Sequence, residues 1–515
     1  MNVLAVLYGA GLAKEAFEPV FSGKSAFSLA FEKARDFPGV SKILFFGKDG
    51  EAYPELPGQT ESILLPLWTK KALLEKLAAA AAGFDLVFFA WADCPFLDPG
   101  LAESMAARHR RYAAEYSYAD GWPYGFAPEI LAPHLPALLS GLVSGDDGPV
   151  ERDTLFNIIQ KDINAFDIET EISPVDLRAY RLSLAADSKR NLLLLERLKG
   201  AGLAGIRDAE KIIEGHPGLL RTLPAFFPVQ VAGPCPQSCQ FCPYPGGLFG
   251  GTQDRRPVQD RKEFMDTGLF VSLLDKIIAF AGDGVIDLSL WGELSLHPQR
   301  EALINAVLER PALSLIVETS GLSWGGESLE ALAVAAASAP ARKNREAALS
   351  WIVSLDAFAP ERYRVLRGGG EAEASECAEK LAGLFPGAVY VQAVRVREAE
   401  DDIEQFYRHW KEKKLNVIIQ KYDYFSGEMP DLRAADLSPL NRFPCWHIMR
   451  DFPVLMDGTV PACGEDLRGS RVLGNVFGDR LEKLWENGEA LYREHTEKNY
   501  GGICALCDEY YTYNF

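Results

Sequence analysis

Three cysteines, Cys235, Cys239 and Cys242, stand in the spacing C-x3-C-x2-C on a loop that follows the apolar run 227–232. Thiolate is the usual protein ligand of iron–sulfur clusters, and three on one short loop can hold three corners of an iron–sulfur cube. One iron then keeps an open position, as a catalytic metal site does. A zinc knuckle or three buried structural thiols are the other readings. Zinc wants a fourth ligand nearby, and no histidine lies between His216 and His297. Pro234, Pro236, Pro243 and Pro245 stiffen the loop by fixing φ and removing N–H groups, and Gly246, Gly247, Gly250 and Gly251 let backbone come close to what it holds.

Four more cysteines, Cys445, Cys463, Cys504 and Cys507, gather near the end of the chain. They suit one cube with every iron ligated by protein, or one tetrahedral zinc. Asp457-Gly458 signals a hairpin between the first two. Tyr510, Tyr511, Tyr513 and Phe515 follow as an aromatic cover. Cys94 reads as a small buried hydrophobe, and Cys377, inside a helical pattern rich in Ala and Glu, as structural.

The elements that must position these groups fall into three blocks. Over 1–205, apolar runs at 3–8, 42–46, 62–67 and 85–91 alternate with helical patterns such as 25–35 and 70–82, which predicts an α/β domain with a mainly parallel sheet. Residues 206–224, with His216-Pro217-Gly218, read as a linker. Over 225–430, six apolar runs (229–232, 285–290, 314–318, 350–355, 389–394 and 417–420) are separated by helical patterns, which predicts six βα units in a partial TIM-type barrel. Barrel chemistry sits at strand carboxyl ends. There stand the cysteines, Trp291-Gly292-Glu293, Glu318-Thr-Ser320-Gly, Ser354-Leu-Asp356, Arg395 and Lys421-Tyr-Asp423. Residues 435–515 form a small cysteine-rich domain.

At 515 residues the chain exceeds one ordinary core. A net charge of −19 argues against nucleic acid or an anionic membrane as main partner, since phosphate contacts need a basic surface. No run of about 18 uncharged apolar residues appears, so no membrane helix is expected. Nine cysteines in C-x-x-C-like groups point to metal binding in a reducing compartment, and the cytoplasm is expected.

The first cysteine spacing, with Phe241 before the third cysteine, resembles the signature of the radical S-adenosylmethionine (SAM) enzymes. The resemblance implies a [4Fe–4S] cluster on Cys235, Cys239 and Cys242 whose open iron takes SAM's amino and carboxylate groups. One electron then splits SAM to methionine and a 5′-deoxyadenosyl radical that abstracts hydrogen from substrate. Trp291-Gly292-Glu293-Leu-Ser-Leu-His-Pro resembles that family's Gly-Gly-Glu-Pro element, which implies Gly292 and Glu293 at the SAM ammonium; Trp291 replaces its first glycine. Glu318-Thr-Ser320-Gly stands in the place of Thr-Asn-Gly. Val353-Ser354-Leu-Asp-Ala and Arg367-Gly368 resemble Ile-Ser-Leu-Asp-Gly … Arg-Gly, which implies Ser354 near the SAM ribose and Arg367 as a candidate for its carboxylate.

The tail resembles the SPASM domain, implying one auxiliary [4Fe–4S] cluster on Cys445, Cys463, Cys504 and Cys507. The front block resembles nucleotidyltransferases of the cytidylyltransferase group, through Gly9-Ala-Gly11, Asp93-Cys-Pro-Phe-Leu and Arg181-Leu-Ser-Leu-Ala-Ala-Asp187. That implies a Rossmann-like fold, with Asp93 and Asp187 as candidate Mg²⁺ ligands. Lys14 stands alone where that family grips a triphosphate, and Glu15 and Glu18 would repel one. The front block is therefore expected to keep the fold with degenerate chemistry.

The order of the three blocks resembles the spiro-SPASM protein family. The function implied is a SAM-cleaving radical enzyme acting on a peptide, protein or nucleotide-linked sugar, with flavodoxin or ferredoxin as reductant. A sugar-nucleotide transferase working through the front block, and a non-enzymatic zinc scaffold, are the alternatives.

Overall fold

The computed structural model describes residues 2–58, 60–143, 148–243, 263–343 and 346–512. Gly246, Gly247, Gly250, Gly251 and Pro245 of the cysteine loop, and Tyr513 and Phe515 of the tail, lie outside the described residues. The chain divides into two compact units, Met1–Thr222 and Leu223–Phe515.

The first unit is an α/β layer on a seven-stranded sheet, with β1 (Val3–Tyr8), β2 (Val40–Lys48), β3 (Glu61–Leu65), β4 (Leu86–Trp91), β5 (Tyr116–Asp120), β6 (Glu129–Leu131) and β7 (Ile168–Ile172) in the order β3-β2-β1-β4-β6-β5-β7. The first four strands run parallel as expected, and β6 is antiparallel to both β4 and β5. β1 and β4 are buried along their whole length, which is why they read as unbroken apolar runs. Within the stretch 206–224, expected as a linker, Ile206–Gly215 is a helix that buries Ala209, Ile212 and Ile213, and the boundary of the two units falls later in the same stretch, after Thr222. The start of the helix is fixed by Ile206 N–H donating to Asp98 Oδ2 at 2.9 Å.

The second unit is built on β8 (Phe226–Pro228), β9 (Gly284–Asp287), β10 (Leu313–Thr319), β11 (Leu349–Ser354), β12 (Val389–Arg395) and β13 (Asn416–Lys421). These six pair in sequence order, each parallel to the next, with helices between them. Strand alternation sorts the two faces. Leu315, Val317, Trp351, Val353 and Val391 pack toward the helices. On the other face Phe226, Ile316 and Ile352, with Val285, Tyr390 and Ile418, form an apolar plug. Two residues further along each strand the same face carries Pro228, Asp287, Glu318, Ser354, Gln392 and Gln420. A polar layer therefore lies above an apolar floor, on the carboxyl side.

The first barrel strand sits earlier than its apolar run suggests. Phe226–Pro228 ladder onto β9, with Val229 N–H donating to Asp287 O at 2.7 Å; past it, Gln230 N–H donates to Val454 O and Met265 N–H to Val231 O. The tail also lies parallel along the outer edge of β8, through bridges at Phe226/Asp451 and Val229/Val454. Backbone groups of an edge strand need such partners. Beyond it, β14 (Thr459–Pro461) and β15 (Val472–Asn475) form a two-stranded antiparallel ribbon, and Leu455 N–H closes the Asp457-Gly458 turn on Thr459 O at 2.8 Å.

Candidate iron–sulfur and SAM site

The cysteine loop leaves β8 at the carboxyl edge of the sheet, and its backbone is held on two sides. Glu293 N–H donates to Pro234 O at 2.9 Å. Gly292 adopts φ 72°, and a Cβ there would overlap the Ala232 carbonyl, so this position accepts glycine alone. On the other side the loop hangs from the end of the helix Pro360–Arg367: Ser238 N–H donates to Arg367 O at 3.2 Å and Gln240 N–H to Leu366 O at 2.9 Å.

Burial pushes the Cys235 thiol up to about 11, opposed by the Gln237 N–H and the Arg367 charge. Burial raises Cys239 too, and the Arg367 guanidinium is the main opposing influence. Thiols so placed are protonated at neutral pH until a metal displaces the protons. The donor set is three soft sulfurs with N–H and guanidinium groups that favour thiolate, which fits an iron–sulfur group.

Glu293 is buried and ties the loop after β9 to the end of β10. Its Oε1 accepts from Thr319 Oγ1 at 2.6 Å and from Ser295 N–H at 3.3 Å; its Oε2 accepts from Ser320 N–H at 2.7 Å. Trp291, standing where a glycine was the expected pattern, takes φ 58° and sets its ring 5.5 Å from that of Phe425. Ser354 belongs to the polar layer: its hydroxyl donates to Glu318 Oε1 at 2.9 Å, which also accepts from Gln392 Nε2 at 2.8 Å. Arg367 does not reach outward. It is buried, donates from Nε to Gln237 Oε1 at 2.7 Å, and pairs through Nη1 with Asp356. Arg395 points elsewhere and pairs with Glu400 on the surface.

Sequence reasoning passed over Asp287, the last residue of β9. Burial, then the charges of Glu318 and Asp451, push its carboxyl up to about 7. Its Oδ2 accepts from Ser289 Oγ at 2.5 Å, and its Oδ1 is buried with no hydrogen-bond partner among the described residues. The available signal was one carboxylate interrupting an apolar run at a strand end.

In the tail, Cys445 and Cys504 are buried together with Tyr510. The four thiols are close enough to raise one another: Cys507 acts on Cys445 and Cys463, and Cys504 on Cys507. Burial is the larger cause for all four and takes Cys507 to about 11. Backbone N–H groups two residues on point at the sulfurs, from Glu465 to Cys463 at 3.5 Å and from Glu509 to Cys507 at 3.3 Å. Four thiols suit a single metal group by ligand type, while among the described residues the ligand atoms found within 4.8 Å of one another are those of Asp423, Asp508 and Glu509. Lys421, at the end of β13, pairs with Asp508 at 3.0 Å and with Glu509, which ties the last cysteine loop to the barrel rim.

The first unit corrects the Mg²⁺ expectation. Asp93 and Asp187 do meet, but around a guanidinium. Arg152 donates to Asp93 Oδ1 and Oδ2 at 3.1 and 2.6 Å and to Asp187 Oδ2 at 3.2 Å. It also stacks on Trp91 and Tyr124, 4.6 and 5.1 Å from their ring centres. A charge of the protein's own occupies the place of a metal. The glycine loop is treated alike, because Gly11 N–H donates to Glu51 Oε2 at 3.1 Å, where a phosphate acceptor would be needed. Arg152 and Glu51 carry no sequence signal of these roles.

Residues 445–508 match the model of SPASM, an iron–sulfur cluster-binding domain. An uncharacterized protein of Treponema pallidum (strain Nichols) is 36% identical over 370 residues, which cover 70% of this chain and 98% of that protein. Among solved structures, BtrN in complex with AdoMet and 2-DOIA aligns with TM-score 0.36 and 17% identity, over 55% of this chain and 92% of that one. A cytidylyltransferase from Leptospira borgpetersenii aligns with TM-score 0.36 and 14% identity, over 42% of this chain and 96% of that one. No helix among the described residues is long and apolar enough to cross a membrane.

Proposed function

This chain belongs to one family with the uncharacterized Treponema pallidum protein and matches the SPASM iron–sulfur domain over residues 445–508, and we propose that it is a radical SAM enzyme that cleaves SAM reductively to begin hydrogen abstraction from a substrate. One observation carries the reading: three half-buried thiols share a loop at the carboxyl edge of the parallel sheet, and the Gly292-Glu293 turn is packed against that loop. When bound, a [4Fe–4S] cluster on Cys235, Cys239 and Cys242 would supply the single electron that breaks SAM's carbon–sulfur bond.

The rest is the work of this chain's side chains. Glu293 uses three of the roughly four acceptor positions of a carboxylate on Thr319, Ser320 and Ser295, leaving one for an ammonium group. Gly292 keeps the backbone close enough for carbonyl contacts. Ser320 and Ser354 stand at neighbouring strand ends, suited to the hydroxyls of a ribose. The polar layer from Asp287 to Gln392 can orient a substrate, while the apolar plug beneath it keeps water out. Cys445, Cys463, Cys504 and Cys507 would hold an auxiliary [4Fe–4S] cluster, and Lys421 ties the loop of the last of them to the barrel rim.

Reconstitution with iron and sulfide without oxygen, followed by dithionite, SAM and chromatography, tests the proposal. The wild-type chain is expected to form 5′-deoxyadenosine and the Cys239→Ala variant is not. Equal yields from both would defeat it.

A further inference from the structure

We infer that Arg367 is a positioning residue for the cysteine loop, tying it to the carboxyl ends of β11 and β12, rather than the group that receives SAM's carboxylate. The inference rests on the radical SAM reading and assigns one residue of that site.

Arg367 closes the helix Pro360–Arg367, and the chain turns away at Gly368, φ 96°. Its side chain is 7% exposed. A guanidinium offers two edges for a carboxylate, one made by Nε and Nη2 and the other by Nη1 and Nη2. Nε is spent on Gln237 and Nη1 on Asp356, so each edge has lost a donor to the protein and neither can grip a second carboxylate in bidentate fashion.

Both partners are structural in character. Asp356 is fully buried at φ 63° and is itself fixed by the Val394 N–H donating to Oδ1 at 2.6 Å. Gln237 lies between Cys235 and Cys239, and its amide nitrogen donates onward to Gly369 O at 2.8 Å. Together with the backbone bonds from Ser238 and Gln240, these contacts run from β12 through Asp356 and Arg367 to the middle of the loop. The same guanidinium is the charge that favours thiolate at Cys239. Groups that orient and polarise metal ligands in this way typically change metal retention about 10–100-fold when removed.

The test uses the full chain, reconstituted without oxygen, with two readouts: the rate of iron loss to a chelator, and the electron paramagnetic resonance signal of the reduced cluster before and after SAM. Arg367→Gln and Gln237→Ala are each expected to speed iron loss from the first cluster about 10–100-fold. The tail cluster, read alone in Cys239→Ala, should keep the wild-type rate. Arg367→Lys, which retains the charge, should recover part of the loss. Gln237→Ala leaves the Arg367–Asp356 pair in place and so guards against a variant that merely misfolds.

If Arg367→Gln holds iron like the wild type but no longer shifts its signal with SAM, Arg367 is a SAM ligand and the inference fails. Wild-type iron retention in Gln237→Ala also overturns it. If the wild type and Cys239→Ala bind the same iron, the radical SAM reading itself fails, which is a separate result.

Discussion

Arg152→Gln tests whether the first unit has exchanged a metal for a side chain. Asp93 is fully buried, and Arg152 supplies two of its hydrogen bonds while also reaching Asp187. Removing one partner of a buried pair costs about 3–5 kcal/mol, because the other charge is left uncompensated. The Arg152 side chain keeps 18% exposure, so the lower end applies, about 3 kcal/mol. At about 1.4 kcal/mol per tenfold change, that is roughly two orders of magnitude in local opening. Amide hydrogen exchange of the β4 peptide is the assay, since it reports this element without requiring the whole chain to unfold in one step. Arg152→Gln should exchange about a hundredfold faster, and Asp93→Asn with Arg152→Gln should restore most of the protection, because the stranded charge is gone. The wild-type chain should also show no Mg²⁺-dependent binding of CTP by calorimetry. Exchange within about threefold of wild type, or Mg²⁺-dependent CTP binding with Arg152 in place, would refute the reasoning.

Cys239→Ala and Cys507→Ala should each lower the iron content by about four atoms per chain, checked by metal analysis; equal iron in either variant and the wild type would mean that its cysteine holds none. Trp291→Gly exchanges relief of left-handed strain, about 1 kcal/mol, for loss of the packing on Phe425, about 0.5–1.5 kcal/mol. Its melting temperature should therefore move by only a few degrees. Glu129 is pushed by burial from 4.5 up to about 8. Its folded pKa lies above the unfolded value, so the stability it contributes is complete below 4.5 and is lost as pH rises through about 8. Glu129→Gln should melt higher than the wild type at pH 8.5 and lose that advantage near pH 5; an equal difference at both pH values counts against burial as the cause.

The α/β class, four strands of the first sheet and all six barrel units were legible in the sequence, β1 and β4 because fully buried parallel strands are apolar on both faces, and β3 and β13, which are not buried, because their apolar residues still run together. β5, β6 and β7 were missed: they are short, carry Glu and Asp, and are partly exposed. The two proposed cysteine sets rest on ligand type and spacing, which are local properties of a loop, and the tail set lies within the SPASM match at 445–508. His-Pro-Gly marks a break, and the unit boundary falls soon after it, whereas the helix before it is recognised only by the face it buries.

Residue identity and spacing thus determined which groups could bind iron and where along the chain they lie. Only the tertiary structure decided what each polar side chain is engaged with. Arg367 reads as a ligand-binding cation until Gln237 and Asp356 are found on its donors, and Asp93 and Asp187 read as metal ligands until Arg152 is found between them. The cause is physical: a charge taken out of water must be paired, and its partner comes from whatever part of the chain the fold brings within about 3 Å, at separations in sequence that no local pattern encodes.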